Sequence, residues 1–196
     1  MRKLSSRILF DFQPFVLICA ALCIIFIPLQ WIFAWCIAVA VHEMYHYFAI
    51  KLCGCQVYTV RVGLLGAVME SNVLTRWQET VCALAGPLGS LSLLLFMKWL
   101  PRTSICGFLH AAYNLLPIFP LDGGRALRCI LALVLGERNG QIAEKIVGYF
   151  VKIALVSLGI YGAVILRLGL LPLAAVLLPI VKNIKTPCKE RLQQVQ

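Results

Sequence analysis

The chain has 196 residues, of which 61% are hydrophobic and 13% charged, with a formal net charge of +10. Soluble domains carry roughly 25% charged residues, so this composition excludes a soluble globule. It indicates an all-α polytopic membrane protein with room for about six transmembrane helices of ~20 residues each. The positive balance has no basic stripe interleaved with aromatics, so it fits cytoplasmic flanks on anionic lipid rather than nucleic acid.

In chain order, Arg2, Lys3 and Arg7 precede an apolar run that continues past Pro28 and Gln30. That is far longer than the roughly 7–15 apolar residues of a signal peptide. Residues 14–29, extended at their start by 8–12, therefore read as a first span that is not cleaved. Pro28-Leu29-Gln30 reads as a tight turn, and residues 31–50 return as a second span. The nine cysteines fall mostly in apolar runs and read as small buried hydrophobes; Cys53 and Cys55 form a CxC pair that could bind metal, although a coincidence of the loop is the favoured reading.

Residues 57–62 alternate and are rich in β-branched side chains, and Gly63 and Gly66 punctuate the segment just after them. This predicts a short membrane-associated β-hairpin after the second span, at the surface or lining a cavity, because an open sheet edge cannot face lipid. A third span is expected over 80–100, a turn at Pro101-Arg102-Thr103-Ser104, and a fourth span over 105–119 interrupted by Pro117. Then come Pro120, Asp122-Gly123-Gly124-Arg125, a short helix over 126–135 and a polar loop over 136–141. Spans over 145–166 and 169–184 and a polar tail complete the chain. One integral-membrane domain is expected over 1–196, with its core at 31–125 and accessory helices at 1–30 and 126–184. Lysine and arginine crowd the N-terminal flank and residues 51–76, 125–152 and 182–191. Only Lys98, Arg102 and Arg167 fall on the other side. Both termini are therefore expected in the cytoplasm, with His42–His46 in the cytoplasmic half of span two and Asp122 at the cytoplasmic end of span four.

The chemistry concentrates at His42-Glu43-Met44-Tyr45-His46. Histidines four apart lie one turn above each other on one helix face and suit a shared Zn²⁺, while the adjacent glutamate can serve as general base. Three such groups in an apolar span are expensive, which points to function. A hydrolytic zinc needs a third protein ligand. Residues 47–54 hold no further histidine, which leaves Glu70, Glu79, His110 and Asp122. Glu70 reads as a hairpin charge, and His110 as a span histidine toward the opposite membrane face. Asp122 is the best placed, at matching depth among prolines and glycines that hold unusual backbone.

His42-Glu43-x-x-His46, then Ala85-Gly86-Pro87, then Asn114-Leu115-Leu116-Pro117-Ile118-Phe119-Pro120-Leu121-Asp122-Gly123-Gly124 resemble the site-2 protease family of intramembrane zinc metalloproteases. Within that family they are most similar to the sporulation branch that processes the sigma-K precursor. The resemblance implies His42, His46 and Asp122 as zinc ligands and Glu43 as the base that activates water. It also implies Asn114 as a substrate or oxyanion contact, and residues 57–70 as a substrate-binding β element. It implies close helix contact through Gly86, Gly89 and Ser90, the last standing where relatives often carry asparagine. The resemblance further implies a membrane-embedded or membrane-associated protein substrate, in regulated processing such as sigma-factor activation, with inhibitory membrane partners in a bacterial cell membrane. No CBS or PDZ domain is expected, nor regulation through ATP. Two other readings use the same residues: a metal-handling transporter, and a catalytically inactive scaffold.

Overall fold

The computed structural model describes residues 7–10, 27–63, 66–71 and 75–164. The chain is mostly helical and divides into two compact units, Met1–Leu115 and Leu116–Gln196. The expected spans over 14–29 and 169–184 fall almost wholly outside the described residues, as does the polar tail.

The first unit contains β1 (Arg7–Phe10), α1 (Leu29–Leu52), β2 (Val57–Gly63), β3 (Gly66–Ser71), α2 (Arg76–Ser92) and α3 (Pro101–Asn114), with a 3-10 segment at Leu93–Phe96. Residues 8–10, read from the sequence as an extension of the first span, instead form part of β1, which runs parallel to β2. β2 pairs antiparallel with β3, with a register irregularity near Val57 and Thr59, and the sheet order is β1-β2-β3. Pro28 precedes α1 as its N-cap, so Leu29 and Gln30 are helical rather than in a turn. α1 ends where Gly54 turns left-handed at φ 77°, a conformation that glycine adopts without Cβ strain. Its 24 residues span about 36 Å.

Small side chains decide how closely the helices of this unit pack. Ala34, Ala38 and His42 recur every four residues along the buried stripe of α1. On α2, a Cβ at Gly89 would collide with the ring of Tyr45, and on α3 one at Gly107 would lie 2.7 Å from the Ser90 carbonyl. Tight approach of this kind is how helices associate where water gives no hydrophobic drive. The start of α2 is held by a capping box between Thr75 and Gln78, which satisfies two backbone N–H groups. Pro101 begins α3, so the expected turn at 101–104 is its first helical turn; proline suits that position because its missing N–H is one that no helix would use there. Ser104 Oγ donates to the Leu93 carbonyl at 2.6 Å, tying α3 to the 3-10 segment.

The second unit contains α4 (Asp122–Leu135) and α5 (Glu137–Val164). Only Gly136 separates them, at φ 82°, and a Cβ on Gly140 would lie 2.6 Å from the Ala132 backbone nitrogen. The expected polar loop over 136–141 is therefore the first turn of α5, since one left-handed glycine suffices to reverse the chain. The expected helix at 126–135 starts four residues earlier, at Asp122.

Among the described residues, two helical stretches are long and apolar enough to cross a membrane, Arg76–Phe96 and Glu137–Val164. α3 has 14 residues, about 21 Å, and ends short of the span expected over 105–119. Trp31, Phe33 and Trp35 on α1 and Tyr149, Phe150 and Ile153 on α5 are exposed.

Candidate metal centre

The site is built on the inner stripe of α1. His42 is buried and His46 half-buried, with their Nε2 atoms 3.0 Å apart and rings near perpendicular at 80°. Apolar clusters flank them along the helix. Ala34, Ala38, Leu93 and Cys106 lie toward its start, and Ala49, Ile50, Cys55 and Cys82 toward its end.

Each imidazole is oriented from the far side by α2. His46 Nδ1–H donates to the Cys82 carbonyl at 2.7 Å. A carbonyl only accepts, so Nδ1 carries the proton and a neutral ring has its lone pair on Nε2. His42 Nδ1 lies 2.9 Å from the Ser90 hydroxyl, which is fully buried. Cys82, Gly86 and Ser90 are spaced by four and share one face of α2. Cys82 meets His46, Ser90 meets His42, and Gly86 lies between. A Cβ on Gly86 would collide with His46 Nε2 and sit 2.7 Å from His42 Nε2.

Two ring nitrogens this close, one already assigned a lone pair, repel unless a proton or a cation lies between them. Two nitrogens sharing one tetrahedral zinc at ~2.05 Å lie ~3.3 Å apart, near the observed 3.0 Å. The Cys82 carbonyl and the Ser90 hydroxyl, each bonded to an Nδ1, are outer partners of the kind that hold metal-binding histidines in orientation. The histidine pair therefore fits a metal.

Asp122 belongs to the second unit. It is buried and opens α4, where the helix N-terminus places partial positive charge beside its carboxylate. Two imidazoles and a carboxylate make the donor set found in hydrolytic zinc sites; His42 and His46 offer the imidazoles in the first unit, and Asp122 is a carboxylate of the second. Glu43 is half-buried on α1, next in sequence to His42. The Asn114 Nδ2 group lies 3.2 Å from His110 Nε2 and donates to the His110 carbonyl at 3.0 Å.

His110 corrects the sequence reading. Sequence alone puts it toward the opposite membrane face, yet its ring lies 4.5 Å from that of His42 at 82°, and 5.3 Å from Trp35. The reason is the extent of α3: the helix ends at Asn114 rather than near 119, so His110 sits close to its C-terminal end. Glu70 lies in β3, in register with Thr59, and Glu79 pairs with Arg76 at 3.1 Å on the first turn of α2. Sequence reasoning misses Ser90 and the Cys82 carbonyl as partners of the histidines. The spacing of four through Cys82, Gly86 and Ser90 is the signal that points to them.

Replacing Ser90 with alanine leaves the buried Nδ1 of His42 without its hydroxyl partner. Zinc affinity, read by chelator competition on the purified protein, is expected to fall about 10–100-fold.

No protein-family model matches the chain. It is 33% identical over 143 residues to a candidate zinc metalloprotease of Synechocystis, covering 63% of this chain and 38% of that protein. It is 28% identical over 125 residues to a zinc metalloprotease of Methanocaldococcus jannaschii, covering 56% and 37%. The chain thus spans less than two fifths of the length of these curated relatives. Among solved structures it matches the site-2 protease of Methanocaldococcus jannaschii, with a TM-score of 0.62 at 22% identity over 88% of this chain and 87% of that one. The chain has the site-2 protease fold. The fold agrees with the motif resemblance, the two relatives carry the name zinc metalloprotease, and zinc is the metal the donor types fit.

Proposed function

We propose that the chain is a zinc endopeptidase of the membrane that cleaves a membrane-embedded or membrane-associated protein. His42, His46 and Asp122 hold the metal in this reading, and Glu43 is the base. The observation that carries it is the opposed pair of Nε2 atoms, each ring anchored from behind by α2. Zinc, when bound, polarises a carbonyl and brings a water pKa from ~15.7 toward ~7. Glu43 takes a proton from the water and passes it to the leaving amine. Asn114, held at His110, exchanges one of those bonds for the substrate backbone. Burial of His42 between apolar clusters keeps bulk water away and strengthens each polar contact.

The exposed aromatic and aliphatic faces of α1 and α5 support an embedded protein, because patches of this kind in water drive association. A helical substrate shields its peptide bonds, so it must unwind before cleavage, and a strand edge can pair with the released backbone. β1 and β3 are the two edges of the sheet, and β3, the edge that belongs to the hairpin, is assigned that task. The lysine and arginine distribution supports cytoplasmic termini and a site toward the cytoplasm. One membrane-embedded domain, regulated processing of the sigma-factor type and inhibitory membrane partners complete the reading.

The test is cleavage of single-span and peripheral membrane proteins by the purified chain in lipid. Chelation is expected to stop cleavage and added Zn²⁺ to restore it. Cleavage that persists after the metal is stripped overturns the reading. Zinc uptake into sealed vesicles without cleavage would favour a transporter instead.

A further inference from the structure

Among the described residues, two carboxylates are buried, Asp122 and Glu144. Both lie in the second unit, and the proposed chemistry uses only the first. Glu144 sits on α5, a helix apolar enough to cross a membrane, where a buried ionisable group is costly and calls for a reason. Its position supplies one. Glu144 Oε1 accepts from the Phe119 N–H at 3.3 Å, three residues before Asp122.

The loop that delivers Asp122 is gripped on several sides. Ile118 is fully buried, and a Cβ on Gly124 would collide with its backbone. A Cβ on Gly148, one turn beyond Glu144, would lie 3.9 Å from Ile118 Cα and 3.5 Å from the Pro117 carbonyl. The Arg128 guanidinium sits 5.4 Å from the centre of the Phe119 ring. Leu121 N–H donates to the Ile118 carbonyl at 2.9 Å, and Arg125 N–H to that of Leu121 at 2.9 Å, which starts α4. Within this loop Pro120 has no N–H to give, so the Phe119 amide is the last donor before Leu121. An apolar side chain at 144 would remove the Glu144 carboxylate oxygen that this amide meets.

We propose that Glu144 is a positioning residue for the metal centre: its carboxylate holds the Phe119 amide and so sets the direction in which Asp122 leaves the loop. The inference rests on the reading of Asp122 as the third ligand. Its test is zinc affinity, measured by chelator competition on the full chain in detergent, for Glu144→Leu, Glu144→Gln and Asp122→Ala. Leucine keeps the bulk without an acceptor and is expected to weaken zinc about tenfold or more. Glutamine keeps the acceptor and is expected to restore affinity close to wild type, a rescue that simple packing does not predict. Wild-type affinity in the leucine variant, or glutamine as weak as leucine, overturns the role. Wild-type affinity in Asp122→Ala instead overturns the ligand reading itself. Should the leucine variant not fold, hydrogen exchange at the Phe119 amide of the wild type decides. Slow exchange is expected, and exchange at the rate of an open loop overturns the contact.

Discussion

Glutamine at position 43 is expected to abolish proteolysis while leaving zinc in place. The substitution keeps the shape and polarity of the side chain and removes only its ability to take a proton. His42 and His46 keep their anchors on Ser90 and Cys82, so metal content by atomic absorption should match wild type. General-base catalysis contributes about 10²–10⁴-fold, and cleavage of a membrane substrate should fall by a factor in that range. Turnover that survives Glu43→Gln would sink the assignment of the base. Loss of zinc together with activity would show that Glu43 acts on the metal site as a structural group instead.

The second large effect is expected from a single methyl group. Alanine is about 1 kcal/mol more favourable than glycine within a helix, so Gly86→Ala should support α2 by intrinsic propensity. Its Cβ, however, would occupy the space of His46 Nε2 and approach His42 Nε2 to 2.7 Å. The rings would have to turn away from their partners, or α1 and α2 would have to separate against the contacts at Gly89 and Gly107. We expect zinc binding and cleavage to be lost together while helical content by circular dichroism is unchanged. A Gly86→Ala protein that binds zinc as wild type does would show that the two helices do not approach as described.

These two variants probe different kinds of information. Glu43 and its histidines are legible in the sequence because the spacing of four is a property of one helix, independent of where that helix packs. Asp122 is legible as a candidate because a carboxylate between prolines and glycines in an apolar region is unusual wherever it falls. His110 is misplaced by sequence because its depth depends on where α3 begins and ends. Pro101 opens that helix instead of forming a turn, and its first turn is tied to the 3-10 segment by the bond from Ser104 to the Leu93 carbonyl. The loop expected over 136–141 rests on polarity, but Gly136 alone makes the reversal, and the polar residues lie on the first turn of α5.

By itself, then, the sequence determined the apolar class of the protein, the histidine pair with its glutamate, and the zinc chemistry those residues invite. All of these come from composition and from helical periodicity, which act over a few residues. Only the tertiary structure decided what holds the imidazoles and what grips the loop before Asp122. The Ser90 and Cys82 partners lie 48 and 36 residues from their histidines, and Glu144 lies 25 residues from Phe119. Contacts at that separation depend on which helix faces meet and how closely. Here that closeness depends on a glycine at 86, where any side chain would run into the Nε2 atoms of His46 and His42.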